Sequence, residues 1–519
     1  QYSTAYSVEK TGNFMPLQNI YGVGNDQTFR TLASGEKYVN GNDESWGPKM
    51  DGTLVRQYYS FYPQDSQFGI ATPFIPHPTN VQDYFEKGHT VNNSISVSGG
   101  NENTSYKLSY SNTNIKGVMP NTSLNRNNLG LNASLDVTKK LSVGANINFA
   151  NNKAVRPSQG YQGTATGQVQ WFQRNMDMER LNNFRYPDGT VLNWNVNPST
   201  ATGIISPAAN KPSDWNNPYF DAYANSNDDG RDRLFGDVNI TYQLLPGLKL
   251  SGFLRSDMYT QNVSHKEAFG GRLDEGYAVA KYQNKEYNYE FLAQYAKQFN
   301  NLSMNLIVGA NKNTVSFTSV SGATVGGLSS PAFYSLAASI NRPFASSFIR
   351  NKEVRSIYGL ASFGYKDIYF IDASVRNDVS SSLPVNSNSY AYPSVSGSIV
   401  FSDLLKIKPL SYGKVRASYA VAGSDLAPYQ TGTSFSVGTV YATSSSTIST
   451  LSVPDKLNNP NIKPSFANAF EAGIDVRFFN NRLGAEFTYY NQQNKDQIIP
   501  LDVSGASGYS STVVNAGLI

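Results

Sequence analysis

The residues to test first are those whose type and spacing could bind a metal or attack a bond. There is no cysteine in 519 residues, which removes disulfides and thiolate ligands. His77, His89 and His265 lie far apart, and none stands in a spacing such as HExxH, where two imidazoles share one helix face. Asn225-Ser-Asn227-Asp-Asp229-Gly230 matches the first half of a calcium loop, with Asn in the first position. Its twelfth position is Gly236 and not the bidentate Glu, so a polar turn re-entering a strand explains the same residues with fewer assumptions. Calcium is the one cofactor worth testing. Gly22-Val-Gly24 lacks a third glycine and follows no alternating strand, so it is a loop pair and not a nucleotide fingerprint. With no Walker sequence and no GxSxG, no enzyme activity is expected.

Aromatic residues carry more. Trp46 lies in the N-terminal part, whereas Trp171, Trp194 and Trp215 all fall between Asn152 and Gly230. A connection this long is usually functional. Its rings have two uses: to stack on sugars or peptide side chains or grip a partner, or to pack the loop's own core. Tyr390 and Tyr429, near two further long connections, complete the set of candidate substrate- or partner-binding residues.

The elements that must position these residues are strands. Leu129, Leu131, Ala133, Leu135 and Val137 alternate with Gly130, Asn132, Ser134 and Asp136, and Leu141 to Phe149 repeats the pattern. A period of two gives one greasy and one wet face. The wet face is Asn, Ser and Gly, and the runs reach about ten residues, as in a transmembrane barrel strand. Composition agrees: hydrophobic residues are 39%, charged residues 15%, and aromatics 13% through 34 Tyr and 28 Phe. Mean hydropathy is −0.41 and no 20-residue apolar run exists, which excludes helical spans but not a barrel. A net charge of +4 gives no argument for nucleic acid.

Along the chain, residues 1–92 show no sustained alternation and read as an irregular connection into the barrel, which occupies 93–519. Seven tight turns follow, at Gly99–Thr104, Thr138–Lys140, Leu245–Gly247, Asn300–Asn301, Lys366–Asp367, Ser402–Leu410 and Asn480–Arg482. They predict seven hairpins. Between them run long connections: Ser111–Leu124, Asn152–Gly230, Tyr259–Lys285, Asn313–Lys352, Asp378–Ser389, Ala422–Ser465 and Asn491–Ser510. Strict alternation of short and long connections is what an outer-membrane barrel requires. The phase places Leu131, Ala133, Leu135, Ile147, Phe149, Ile240 and Phe487 toward lipid, and Asn132, Ser134, Asn148, Asn239 and Glu486 toward the lumen.

Several stretches resemble the SusC/RagA family of TonB-dependent outer-membrane transporters. ISVSGGNENTSYKLSYSNTNIKGVMPNTSLNR resembles that family's first barrel hairpins, and SWGPKMDG (Ser45–Gly52) its segment between plug and barrel. Ala373–Asp403 resembles its Arg-x-Asp-Gly-Ser-Ser region, with Val379 and Leu383 departing from the pattern, and LSYGKVRASYAVAGSDLAPYQT its Lys-x-Arg-x-Ser-Tyr run. NPNIKPSFANAFEAGIDVRFFNNRLGAEFTYYNQQNKDQIIP resembles a recurrent late hairpin. The resemblance implies a 22-strand barrel of which about 15 strands are present, with a plug and the last strands outside the chain. It implies a multi-pass protein of a Gram-negative outer membrane, importing oligosaccharides or peptides. TonB, with ExbB and ExbD, would supply energy through the plug, and a SusD-like surface lipoprotein would cap the barrel. The alternative is a structural or adhesive barrel without transport.

Overall fold

A run with every second residue apolar can bury that set only by turning it to one side of a pleated strand. The computed structural model describes residues 1–157, 161–163, 167–442 and 447–518, so parts of the Asn152–Gly230 and Ala422–Ser465 connections, and Ile519, lie outside it. Its alternating runs join one 17-stranded sheet. Sixteen of these strands are labelled here: β1 (Tyr2–Glu9), β2 (Gly88–Gly100), β3 (Thr104–Lys116), β4 (Ser123–Asp136), β5 (Leu141–Arg156), β6 (Ser226–Leu245), β7 (Leu248–Glu267) and β8 (Gly276–Phe299) come first. They are followed by β9 (Leu302–Leu328), β10 (Ser339–Tyr365), β11 (Tyr369–Ser380), β12 (Ser389–Val400), β13 (Leu410–Ser424), β14 (Ser465–Phe478), β15 (Leu483–Asp502) and β16 (Ser511–Leu518). Each pairs antiparallel with its neighbour in this order. The seventeenth, Lys456–Leu457, lies parallel to the start of β16. Among the described residues the longest helix, Pro218–Tyr223, has 6 residues, and none is long and apolar enough to cross a membrane.

All seven tight turns form at one rim, the chain reversing between β2 and β3, β4 and β5, and so on to β14 and β15. Five of them use left-handed backbone, at Gly247 (φ +85°), Asn300 (φ +46°), Lys366–Asp367, Lys406 and Phe479–Asn481; glycine, asparagine and aspartate tolerate it best. Cross-strand register then fixes the faces. Leu131 stands opposite Ile147, Ala133 opposite Ala145, Leu129 opposite Phe149, and Val143 opposite Ile240, while Asn132 meets Asn146 and Gly144 meets Asn239. The same phase runs to the far end, where Phe487 stands opposite Ile474 and Glu486 opposite Asp475. In a barrel the apolar face is the one turned to lipid.

Three expectations need correction. Residues 1–92 are not all irregular: Tyr2–Glu9 is a barrel strand paired with β2, which itself starts at Gly88 and not at Asn93. The alternation of Tyr2, Tyr6 and Val8 with Ser3 and Ser7 was its signal. The strands also exceed ten residues, reaching 27 in β9 and β10. The Ser111–Leu124, Tyr259–Lys285, Asn313–Lys352 and Asn491–Ser510 connections therefore shrink to 117–122, 268–275, 329–338 and 503–510. Above the bilayer both faces of a hairpin meet water, so pairing continues where hydrophobic alternation has stopped.

Candidate functional site at the outer rim

Residues 10–87 leave β1 and return in β2, and residues 157–225 leave β5 and return in β6, on the rim opposite the tight turns. The first buries a small core of its own, Val23, Val39, Val55 and Phe74, but the larger core is shared by both segments. Tyr38, Tyr58, Phe61, Tyr62 and Tyr84 from the first pack with Met176, Leu181, Leu192, Trp194 and Trp215 from the second. We call this body the cap. Buried polar groups stitch its two halves together, as they must once water is excluded. Arg174 donates to Asn80 Oδ1 (2.5 Å), to Asn19 Oδ1 (2.9 Å) and to the carbonyls of Gln18 (3.1 Å) and Pro78 (3.0 Å). The Tyr62 hydroxyl donates to Asn210 Oδ1 (2.7 Å) and accepts from the Asn193 amide (3.0 Å). At Gly41 the halves approach so closely that a Cβ would sit 2.4 Å from the Val196 carbonyl oxygen.

The cap rests on hairpin ends. Asn121, in the β3–β4 connection, donates to the Ala222 carbonyl at 2.8 Å. In the β7–β8 connection, Asp274 pairs with Lys211 at 2.9 Å and the Gly270 carbonyl accepts from Asn193 at 3.0 Å. Beside this joint Asp221 is almost wholly buried, accepting from Asn216 (2.7 Å) and Asn225 (2.9 Å). Burial pushes its carboxyl up to about 7, with the Glu267 charge adding to the rise. A second, smaller core joins the other long connections: Leu383, Tyr390, Leu426, Ile462 and Val513.

The wet face below carries paired charges. Arg233 bonds Asp257 on the next strand, Arg255 bonds Glu290 (2.6 Å), which also accepts from Tyr358, and Arg376 bonds Asp378 (2.8 Å), which accepts from Tyr392 (2.6 Å). These groups come from strands far apart in sequence, and only the shared phase of alternation puts them on one wall.

The predicted site residues divide. Trp194 is fully buried, with Nε1 donating to the Asn216 carbonyl at 3.1 Å, and Trp215 is 2% exposed, with Nε1 donating to Asp43 Oδ2 at 2.6 Å. Trp171 is half-buried and stacks on Trp215, ring centres 6.2 Å apart. Tyr390 is buried in the smaller core. Enclosed rings present no face to a ligand, so Trp194, Trp215 and Tyr390 pack the outer bodies, while Trp171 packs against the core with part of its ring exposed. Tyr429 is exposed, its hydroxyl accepting from the Asn351 amide at 3.1 Å. Trp46 is 63% exposed on the cap, with Tyr21 beside it at 6.0 Å. The residues of the calcium-like pattern lie in Ser226–Gly230, the extended start of β6, where alternate side chains point to opposite faces. Asp229 pairs with Arg156, and Asn227 meets His265 Nδ1 at 2.7 Å.

A continuous antiparallel wall with one apolar face, turns on one rim and folded bodies on the other is a transmembrane β-barrel architecture. Residues 170–518 match the family described as TonB dependent receptor-like, beta-barrel, and the chain belongs to that family of outer-membrane proteins. TonB-dependent receptor P3 of Formosa agariphila is 25% identical over 455 residues, 85% of this chain and 44% of the relative. TonB-dependent receptor P26 of the same organism is 23% identical over 471 residues, 86% of this chain and 45% of the relative. The chain thus spans about half the length of these curated relatives. Among solved structures, the RagAB peptide transporter aligns over 100% of this chain and 57% of its own, with a TM-score of 0.74 at 19% identity. The RagAB peptide importer in its open-open state aligns over 100% and 56%, with a TM-score of 0.76 at 19% identity. The fold is therefore SusC/RagA-like.

Proposed function

We propose that the chain is the barrel portion of an active outer-membrane importer of oligosaccharides or peptides, energised through TonB and capped by a SusD-like lipoprotein. The observation carrying this reading is the pairing of a wide strand wall, lined by hydrogen-bonded charges, with large folded bodies raised on its outer rim. A passive pore needs no such superstructure, whereas a receptor that recognises substrate before admitting it needs rigid surface at the mouth. The full-length protein would supply the remaining strands and a plug in the lumen, the latter contacting the TonB–ExbB–ExbD machinery.

The test is uptake by intact cells of fluorescent oligosaccharides and peptides too large for general porins. Deleting the gene should reduce accumulation of one class at least tenfold, a protonophore should do the same, and pull-down of the tagged protein should recover a surface lipoprotein. Unchanged uptake of both classes would overturn the reading in favour of a structural or adhesive barrel, whose loss would be read as reduced surface attachment.

A further inference from the structure

The outward apolar face changes character on three adjacent strands. On β9 and β10 it meets, toward the outer rim, the level pair Lys312 and Arg355, and on β8 Lys285 stands four residues farther toward that rim, opposite Ser316. Register places Lys312 between Tyr289 on one side and Arg355 on the other. Glu353, on the same face, bonds both cations, Lys312 Nζ at 3.0 Å and Arg355 Nη2 at 2.6 Å. Two cations against one carboxylate leave an excess positive charge, and their side chains remain 47% and 69% exposed. Lys285 is exposed and makes no ion pair among the described residues.

Directly below lies a hollow of about 870 Å³. Its floor is low because Gly252 and Ala310 have little or no side chain, and Ile240, Leu254, Phe291 and Ile357 wall it. From the turn at Asn300–Asn301, β9 climbs about ten residues to Lys312; at roughly 3.3 Å per residue and a tilt of roughly 40° this is about 25 Å, the height of an outward apolar band. The charged group therefore stands at the depth of outer-leaflet headgroups, and the hollow at the depth of acyl chains. Lipid solvation alone asks only for apolar side chains. Two cations held by a shared carboxylate at the water boundary, over a hollow shaped by two small residues, add a fixed receptor for an anion.

We propose that this is a bound-lipid site for a phosphate-bearing, acylated lipid of the outward leaflet. Phosphate oxygens accept from Lys312 and Arg355, Lys285 adds attraction from the next strand, and an acyl chain lies across Gly252 and Ala310. Glu353 orients the two cations and competes with the ligand for them. The site requires membrane insertion but not transport, so it stands independently of the importer reading.

Native mass spectrometry of the full-length protein in mild detergent tests it, with diphosphorylated lipid A as probe and the same lipid stripped of both phosphates as control. Wild-type protein should hold the phosphorylated form at least tenfold more tightly. Lys312→Gln with Arg355→Gln should abolish that preference, Gly252→Val should weaken both lipids, and Glu353→Gln should tighten the phosphorylated one. The gain on Glu353→Gln guards against misfolding, which produces only losses. Equal binding of the two lipids by wild type, or an undiminished preference in the double variant, would overturn the site, as would binding by the charge alone that ignores Gly252→Val.

Discussion

The barrel wall and the cap are built under opposite constraints. In the wall, the backbone of each long strand pairs with its neighbours in sequence order, and its side chains sort by a period of two. In the cap, short pieces of chain more than a hundred positions apart meet around Trp194 and Arg174, with Arg174 bonding Gln18 and Asn19. The wall is redundant and local. The cap is cooperative and depends on a few irreplaceable contacts, which makes the two parts separable by mutation.

The sharpest separation comes from Trp194→Ala. Removing the largest fully buried side chain of the cap leaves a cavity in a core whose only sheet is four strands of two or three residues, Arg30–Thr31, Lys37–Tyr38, Leu54–Arg56 and Ala71–Pro73, among the described residues. The expected cost is about 3–5 kcal/mol, confined to the cap. Limited proteolysis should cleave within 10–87 and 157–225 while the folded barrel keeps its heat-modifiable migration on a gel. Loss of both together would show that the cap and the wall fold as one unit.

That separation also explains what the sequence made legible. Every tight turn, and the face of residues such as Leu131, Ile147 and Phe487, could be read because lipid on one side and water on the other imprint alternation residue by residue. The outer halves of β9 and β10 sustain no such alternation, because that imprint ends above the bilayer. The cap was invisible for a different reason. Trp194 and Trp215 stood out, yet nothing local says that their partners are Tyr38, Tyr62 and Asp43 from a segment read as an irregular connection. Three tryptophans in one long connection signalled a core as much as a binding surface, and the core was the use made of them.

A second pair of variants tests the wall's own rule. Ile240→Arg, on the lipid side of β6, should cost about 2–4 kcal/mol in bilayers. Asn239→Arg, one residue away on the wet side, should stay within about 0.5 kcal/mol. Urea titration of the refolded protein in lipid vesicles reads both. Equal costs would mean that the two faces do not meet different solvents.

The smallest effect lies where cap meets wall, at Asp221. Its folded carboxyl titrates at about 7 because burial penalises the charged form, with Glu267 adding repulsion and the amides of Asn216 and Asn225, with Arg272, opposing it. An unfolded aspartate titrates near about 3.9, so the folded state binds this proton more tightly than the unfolded state does. Below about pH 4 both states are protonated and the group costs nothing; the penalty grows from there and is complete above about pH 7. His265 on β7, raised by its bond to Glu267, favours acid in the same direction, so wild-type pH dependence alone does not isolate Asp221. The difference between wild type and Asp221→Asn does. Asn keeps an oxygen to accept from Asn216 and Asn225, and it removes the charge. The variant's cap should resist proteolysis better than wild type at pH 8, by on the order of 1–3 kcal/mol in opening free energy, and match it near pH 4. A constant difference across that range would place the Asp221 carboxylate in water and the joint between cap and wall open.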